Sequence, residues 1–122
     1  MTQQTPDYQP WCIFCRIARG EATAEVLYQD DLVTAFRDIR PQAPTHVLVV
    51  PNRHIPAVAA VKADDAELLG RMVTVANRLA EDEGVAQSGY RLVINNGPQA
   101  GQSVKHLHLH LLAGRRLGWP PG

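Results

Sequence analysis

The sequence predicts an α+β domain with an antiparallel sheet of about five strands, one long helix and one short helix. Segments typical of strands lie on both sides of a single long segment with helical periodicity. Near the carboxyl end, histidine and leucine alternate with the period of a β-strand. No repeat or linker divides the 122 residues, and a chain of this length is typical of one domain.

The amino-terminal segment contains a polar tail and a short helix. Residues 1–10 carry no hydrophobic period, which predicts a flexible tail followed by a single domain at residues 11–122. From Trp11 onward the apolar spacing is helical, and Gly20 is a typical helix terminator. The apolar residues at this spacing are Ile13, Phe14 and Ile17.

Three predicted strands precede the long helix. Residues 26–29 and 32–37 are β-prone and are joined by two aspartates, which predicts an antiparallel hairpin. A loop with two prolines follows. Residues 46–51 then form a continuous run rich in valine, which is typical of a central, buried strand.

The long helix is predicted between Asp64 and Gly84. Its apolar residues recur with a period of about 3.6, Asp64 and Glu67 resemble a capping box, and Gly84 fits a carboxyl-terminal cap. The stripe expected to face the core comprises Leu68, Met72, Val75, Ala76 and Leu79.

A fourth strand is predicted at residues 90–95. The turn predicted at residues 96–101 contains glycines, which allow close approach of a ligand.

The last predicted strand carries three of the five histidines. Its alternation places His106, His108 and His110 on one face and the intervening leucines in the core. With a rise of about 3.3 Å per residue, the first and last of these histidines lie roughly 13 Å apart along the strand. One metal ion is therefore not expected to bind all three, and we expect two different roles on this strand.

Composition limits the partners of the protein. The 12 basic and 12 acidic residues give a formal charge of zero, so no nucleic-acid partner is expected. No apolar run reaches the roughly 20 residues of a membrane-spanning helix, and the amino terminus does not resemble a signal peptide. We therefore expect a cytoplasmic protein without a membrane partner.

The two cysteines, Cys12 and Cys15, form a C-x-x-C pair, which in a reducing compartment indicates metal binding or redox chemistry. Two histidines would be needed to complete a zinc site, and His54 and one end of the histidine strand are the candidates. A closed set of four ligands would make the site structural. The alternatives are a reduced dithiol without function and a redox role, which the absence of a flanking βαβ pattern disfavours.

The remaining histidines suit phosphoryl chemistry. A neutral imidazole is a competent nucleophile at phosphorus when one ring nitrogen is free and a hydrogen bond holds the other. His108 and His110 are therefore candidates for a nucleophile and a phosphate-binding partner, and spacing alone does not assign the two roles. Gln102 and Ser103 could donate hydrogen bonds to phosphate oxygens.

Residues 106–112 fit the pattern His-φ-His-φ-His-φ-φ, in which φ is apolar, and through this pattern the chain resembles the histidine triad family. Further segments are similar to the Hint branch of that family, the histidine triad nucleotide-binding proteins. These segments are residues 36–39, 41–46, 51–54, 90–95, 101–104 and 119–122. The resemblance implies a histidine triad fold whose sheet continues across a homodimer.

For function, the resemblance implies a purine nucleoside phosphoramidase that also acts on aminoacyl-adenylate-like substrates. His108 would attack the α-phosphorus to form a nucleotidyl-histidine that water hydrolyses, with His110 at the phosphate and Ser103 assisting. The residues implied in nucleotide binding are Asp38, Ile39, Asn95, Gly101, Gln102, Ser103, His108 and His110. The implied structural zinc ligands are Cys12, Cys15, His54 and His106, and no organic cofactor is expected.

Two other functions stay open on the sequence. One is a nucleotide-binding or scaffold module without catalysis, and the other is a dinucleoside polyphosphate hydrolase of the same family, which the Trp-Pro-Pro-Gly terminus at residues 119–122 disfavours. His46, just before the buried strand, is equally well interpreted as a structural histidine and as a residue that orients an active-site group.

Overall fold

The computed structural model describes residues 7–122. Over this range the helices are α1, Ile13–Ala18, and α2, Ala66–Asp82. The strands are β1, Val26–Gln29; β2, Val33–Arg37; β3, Thr45–Pro51; β4, Tyr90–Ile94; and β5, Leu109–Ala113. Short 3₁₀ turns lie at Val58–Ala60, Ala63–Asp65 and Pro98–Ala100. The predicted α+β class, with five strands, one long helix and one short helix, is confirmed.

The five strands form one antiparallel sheet in the order β1-β2-β3-β5-β4. β1 and β2 pair as the predicted hairpin, and β3 lies at the centre with every residue buried. The pairing of β3 with β5 places His46 opposite Leu112 and Leu48 opposite His110. The sheet therefore brings His46 and the histidine strand together although they are far apart in sequence.

The histidine strand begins later than the sequence predicts. β5 starts at Leu109, so His106 and His108 precede it in an irregular segment. The carbonyl oxygen of His106 accepts a hydrogen bond from the ring of His108, and the N–H of Leu107 donates to Ile55. The carbonyl of His106 and the N–H of Leu107 are therefore not available to pair with a neighbouring strand of the sheet. The predicted burial of the alternating leucines is confirmed, since Leu107 enters the core together with Leu109 and Leu111 of β5.

Two apolar clusters lie around the sheet. The larger one contains the predicted stripe of α2, residues of β2 and β3, and the leucines of the histidine segment. The smaller one joins α1 to β2 and β3 and comprises Cys12, Phe14, Cys15, Ile17, Phe36, Leu48 and Val50. The histidine face lies on the side of α1, because the ring of Phe14 contacts the rings of His106 and His108.

The start of α2 differs from the prediction. The capping box of Asp64 and Glu67 is wrong, because a 3₁₀ turn precedes the helix and Asp65 accepts the backbone N–H of Lys62 at 3.0 Å. At the other end, Gly84 has a φ of +74°, as predicted for a glycine after a helix. Neither helix of residues 7–122 has the length and apolar character that crossing a membrane requires.

The predicted tail falls partly outside the described residues, which exclude positions 1–6. The remaining part, from Asp7 to Pro10, contacts the rest of the chain. The N–H of His54 donates to the carbonyl of Asp7 at 2.8 Å, and the half-buried ring of Tyr8 packs on the smaller apolar cluster. The part of the predicted tail that the structure describes therefore packs on the domain, whose proposed bounds stay at residues 11–122.

Candidate active site and metal centre

A cavity of about 350 Å³ opens beside the histidine segment. His108, His110 and Ser103 line one part of it, and Asp38, Ile39 and Arg40 line another. The apolar wall comprises Ile13, Phe14, Ile17, Phe36 and Leu48. A mostly apolar cavity with a few convergent polar groups is typical of a small-molecule site.

The ring of His108 has a defined tautomer. Its Nδ1 lies 2.7 Å from the carbonyl oxygen of His106. Because a carbonyl can only accept, Nδ1 must carry a proton, so in the neutral ring the lone pair lies on Nε2. His108 is nearly buried and lines the cavity. The ring thus has one nitrogen fixed by a hydrogen bond and one nitrogen available, as a histidine nucleophile requires.

A chain of hydrogen bonds also fixes the proton of His110. The N–H of Gln42 donates to Nδ1 of His46 at 3.0 Å, so the proton of His46 is on Nε2. This Nε2 lies 2.9 Å from Nδ1 of His110 and 3.4 Å from a carboxylate oxygen of Asp38. His110 must therefore accept at Nδ1 and carry its own proton on Nε2.

Nε2 of His110 is buried and has no hydrogen-bond partner among residues 7–122. A buried donor that stays without an acceptor costs about 1–3 kcal/mol, so such an atom is normally matched by a ligand, an ion or an ordered water. An oxygen of a bound phosphate would supply the missing acceptor. His46, which the sequence left between two interpretations, lies where it would orient this donor.

His46 and His110, the two histidines joined by this hydrogen bond, are both neutral near pH 7. Burial lowers the pKa of His110 to about 4, with smaller contributions from the neighbouring His108 and His46 and an opposing one from Asp38. Burial also lowers the pKa of His46, again opposed by Asp38. The site therefore offers a neutral N–H donor to a ligand, not an imidazolium.

The four predicted metal ligands come together behind the cavity. Their donor atoms, two sulfurs and two Nδ1 atoms, all lie within 4.8 Å of one another, and all four side chains are buried: Cys12, Cys15, His54 and His106. The closest approaches are 3.3 Å between Cys12 Sγ and His106 Nδ1 and 3.2 Å between Cys15 Sγ and His54 Nδ1. Two sulfurs and two imidazole nitrogens are a typical zinc set.

The protonation chemistry of this cluster fits a metal. Nε2 of His106 donates to the carbonyl of Pro51 at 2.9 Å, which leaves the lone pair on Nδ1 directed at the cluster. Backbone N–H groups of Gln9 and Cys15 donate to the two sulfurs, as suits thiolates. Burial raises the pKa of the Cys15 thiol to about 11 in the metal-free chain, so a thiolate here needs a cation.

The loop after β4 holds the predicted phosphate-binding residues in different ways. Ser103 lines the cavity with the two histidines, and Gly101 adopts a left-handed φ of +87° at the end of a 3₁₀ turn. The Gln102 side chain instead accepts from Gly97 N–H and donates to two backbone carbonyls. It therefore holds the loop and has no free donor for a phosphate. Asn95 is half-buried after β4 and is not among the cavity-lining residues.

At the other end of the cavity, Asp38 and Ile39 lie on the turn after β2. One oxygen of Asp38 accepts the N–H of Arg40 at 2.8 Å, and Ile39 is 89% exposed. The apolar wall formed by Phe14, Phe36 and their neighbours was not predicted from the sequence as part of a site. Such residues read as ordinary core, and only the position of α1 over the sheet reveals that they face a cavity.

The comparisons with known proteins agree with this geometry. The family model of the HIT domain matches residues 19–117. This chain belongs to the HIT family. A purine nucleoside phosphoramidase from Escherichia coli K12 is 57% identical to this HIT protein over 106 residues, which cover 87% of this chain and 89% of that protein.

Solved HIT structures superpose on the whole domain. A HIT family hydrolase from Legionella pneumophila Philadelphia 1 aligns with a TM-score of 0.89 and 52% identity, covering 91% of this chain and 99% of its own. A zinc-bound histidine triad family protein from Mycobacterium smegmatis aligns with a TM-score of 0.75 and 31% identity, covering 92% of this chain and 80% of its own. These superpositions show the HIT fold of this chain without reference to the histidine pattern at residues 106–112.

Proposed function

We propose that this protein is a purine nucleoside phosphoramidase, a hydrolase that cleaves the phosphorus–nitrogen bond of adenosine 5′-phosphoramidate and related aminoacyl-adenylate-like substrates. The observation that carries the proposal is the tautomer of His108, whose Nε2 keeps its lone pair at the cavity beside the unpaired N–H of His110. Its 57% identity to the E. coli purine nucleoside phosphoramidase supports the substrate class.

The proposed reaction has two steps. Nε2 of His108 bonds to the α-phosphorus, the phosphorus–nitrogen bond breaks, and the leaving amine takes a proton from solvent, which the attacking water gives back in the second step. Water then attacks the phosphorus, releases the nucleoside monophosphate and restores His108. In both steps the Nε2–H of His110 would donate to a phosphate oxygen as negative charge develops, with Ser103 as a second donor at the cavity.

Nucleotide binding is proposed at the same cavity. The carboxylate of Asp38 would accept from ribose hydroxyls, and the purine would lie against Ile39 and the apolar wall. Gly101 and Asn95 would adjoin the phosphate from the loop after β4, whereas Gln102 would act by holding that loop. No organic cofactor is needed, because the histidines supply the nucleophile and the donor.

Zinc is the metal we propose for the cluster behind the cavity. Cys12, Cys15, His54 and His106 would complete four-coordination and leave no position for a substrate, so the metal would stabilise the fold and not polarise the phosphate. The zinc-bound relative from M. smegmatis supports this assignment. Neither cysteine is in a disulfide bond, and we propose the cytoplasm, a reducing compartment, as the location.

We further propose a homodimer. β4 forms one edge of the sheet, and its Ile94 is exposed, as is Val73 of α2. Edge strands carry backbone groups that can pair with another chain, so the β4 edges of two copies could continue the sheet. Neither nucleic acid nor a membrane is proposed as a partner.

The test is mass spectrometry during turnover of adenosine 5′-phosphoramidate by wild type and by His108→Ala. The wild type should release ammonia and show a nucleotidyl adduct, and under native conditions it should have the mass of a dimer. His108→Ala should lose the adduct and fall in turnover by several orders of magnitude, while it still binds adenosine monophosphate. Near-normal hydrolysis by His108→Ala would contradict the nucleophile. Tight nucleotide binding by the wild type without turnover would favour a non-catalytic module.

A further inference from the structure

The short helix α1 belongs to two sites at once. Cys12 caps its start and Cys15 lies within it, and both sulfurs point into the metal-ligand cluster. Between and after these cysteines, the side chains of Ile13, Phe14 and Ile17 line the nucleotide cavity. One side of this helix therefore belongs to the candidate metal centre and the other to the wall of the cavity.

α1 has little stability of its own. It has six residues, whereas isolated helices shorter than about 12–15 residues are marginal in water. Two contacts of its cysteines fasten it to distant parts of the chain. Cys12 meets His106, 94 positions away, and Cys15 meets His54, 39 positions away. The position of the cavity wall therefore depends on the cluster of sulfurs and imidazoles as well as on the apolar packing of α1 against β2 and β3.

His106 provides a second connection between the sites. Its Nδ1 belongs to the metal-ligand cluster, while its carbonyl oxygen accepts the N–H of His108 at 2.7 Å. The ring of Phe14 meets both histidines edge to face, with centroid separations of 5.8 Å to His106 and 5.2 Å to His108. Displacement of His106 would therefore disturb the nucleophile and the cavity wall together.

The larger apolar cluster contains no residue of α1 and neither cysteine. It adjoins the two candidate histidines through Ile55 and Leu107, which follow His54 and His106 in the chain. Loss of contacts in the smaller cluster would leave the core under α2 in place. Local opening of one packed unit while another stays folded is common in proteins.

We propose that the metal centre and the nucleotide cavity are thermodynamically coupled through α1 and His106, so that an occupied metal site strengthens nucleotide binding. By linkage, a bound nucleotide must strengthen metal binding by the same factor. The identity of the nucleotide rests on the proposed function, but the coupling does not require turnover.

The test compares four affinities of the full-length protein. Calorimetry gives the Kd of adenosine monophosphate for the zinc-loaded and the chelator-stripped protein, and chelator competition gives the Kd of zinc with and without saturating adenosine monophosphate. Stripping should weaken nucleotide binding about tenfold, a typical coupling, and the nucleotide should tighten zinc binding equally. Amide NMR signals of α2 should persist in the stripped protein. Nucleotide affinity that is independent of zinc, or global unfolding on stripping, would overturn the proposal.

Two matched variants of α1 test the route. Phe14→Leu keeps the cysteines but removes the ring that meets His106 and His108, so it should bind zinc and show a reduced coupling factor. Arg16→Gln changes an exposed position of the same helix and should keep the full factor. Full coupling in Phe14→Leu would overturn the route through α1.

Failure of the two proposals would be distinguishable. Coupled binding of zinc and adenosine monophosphate without any phosphoramidate hydrolysis would overturn the proposed function and support the coupling. Phosphoramidate hydrolysis with a nucleotide affinity that is the same with and without zinc would support the proposed function and overturn the coupling.

Discussion

The proton on each cavity histidine is fixed by the group that faces it. His46 accepts from a backbone N–H and so donates through Nε2 to His110. His46→Leu should lower kcat about tenfold to a hundredfold, as loss of an orienting partner commonly does, because the ring of His110 could then present either nitrogen. KM should change little, since His46 does not line the cavity. Steady-state kinetics with adenosine 5′-phosphoramidate measure both constants. His46→Gln, whose amide N–H can replace Nε2–H, should recover part of the loss, and an unchanged kcat in His46→Leu would refute this role.

At the scale of elements, one side chain holds the loop between β4 and β5. Gln102 bonds to the backbone of Gly97, Pro56 and Val104 at 2.9, 2.8 and 3.0 Å. Gln102→Ala should weaken binding of adenosine monophosphate and lower the free energy of unfolding by about 1–3 kcal/mol, because these polar groups lose their partner. Calorimetry and urea unfolding measure the two effects. Gln99→Ala, at an exposed position of the same loop, is the matched control and should change neither. Normal nucleotide affinity in Gln102→Ala would mean that other contacts order the loop.

Over the whole molecule, buried neutral histidines link stability to pH. The pKa of His110 is about 4 in the folded protein and about 6.5 in an unfolded chain. As pH falls, the unfolded state therefore binds the proton first, so stability is full above about pH 6.5 and falls toward pH 4, by about 3 kcal/mol for this residue. Urea unfolding at about pH 7.5 and pH 4.5 should show a smaller fall in His110→Gln than in the wild type. An equal fall in both proteins would contradict the assignment.

Local patterns predicted the elements well, because burial on one face leaves a period that is readable within a few residues. The stripe of α2 and the central strand β3 are confirmed on this basis. The contact of His46 with His110 spans 64 positions and follows from the register of β3 with β5, which no local pattern encodes. The late start of β5 was missed for a related reason, since it depends on hydrogen bonds of His106 and Leu107 outside the ladder.

The candidate site was predictable where the residue types themselves are unusual. Two cysteines and alternating histidines attract attention in any sequence, whereas Phe14 and Phe36 look like core until α1 is seen to leave a cavity beside them. Gln102 was predicted to contact phosphate because amides are good donors, but its donors are already used by backbone carbonyls. Competition between partners within a loop is decided only by three-dimensional geometry.

The unpaired N–H of His110 also bears on how this protein can evolve. No side chain or backbone group among residues 7–122 accepts this donor, so a ligand or solvent must do so if its desolvation cost is to be offset. Substitutions that remove the donor relieve that cost but also remove the charge stabilisation proposed for the reaction. Selection for activity and selection for stability therefore act in opposite directions at this position.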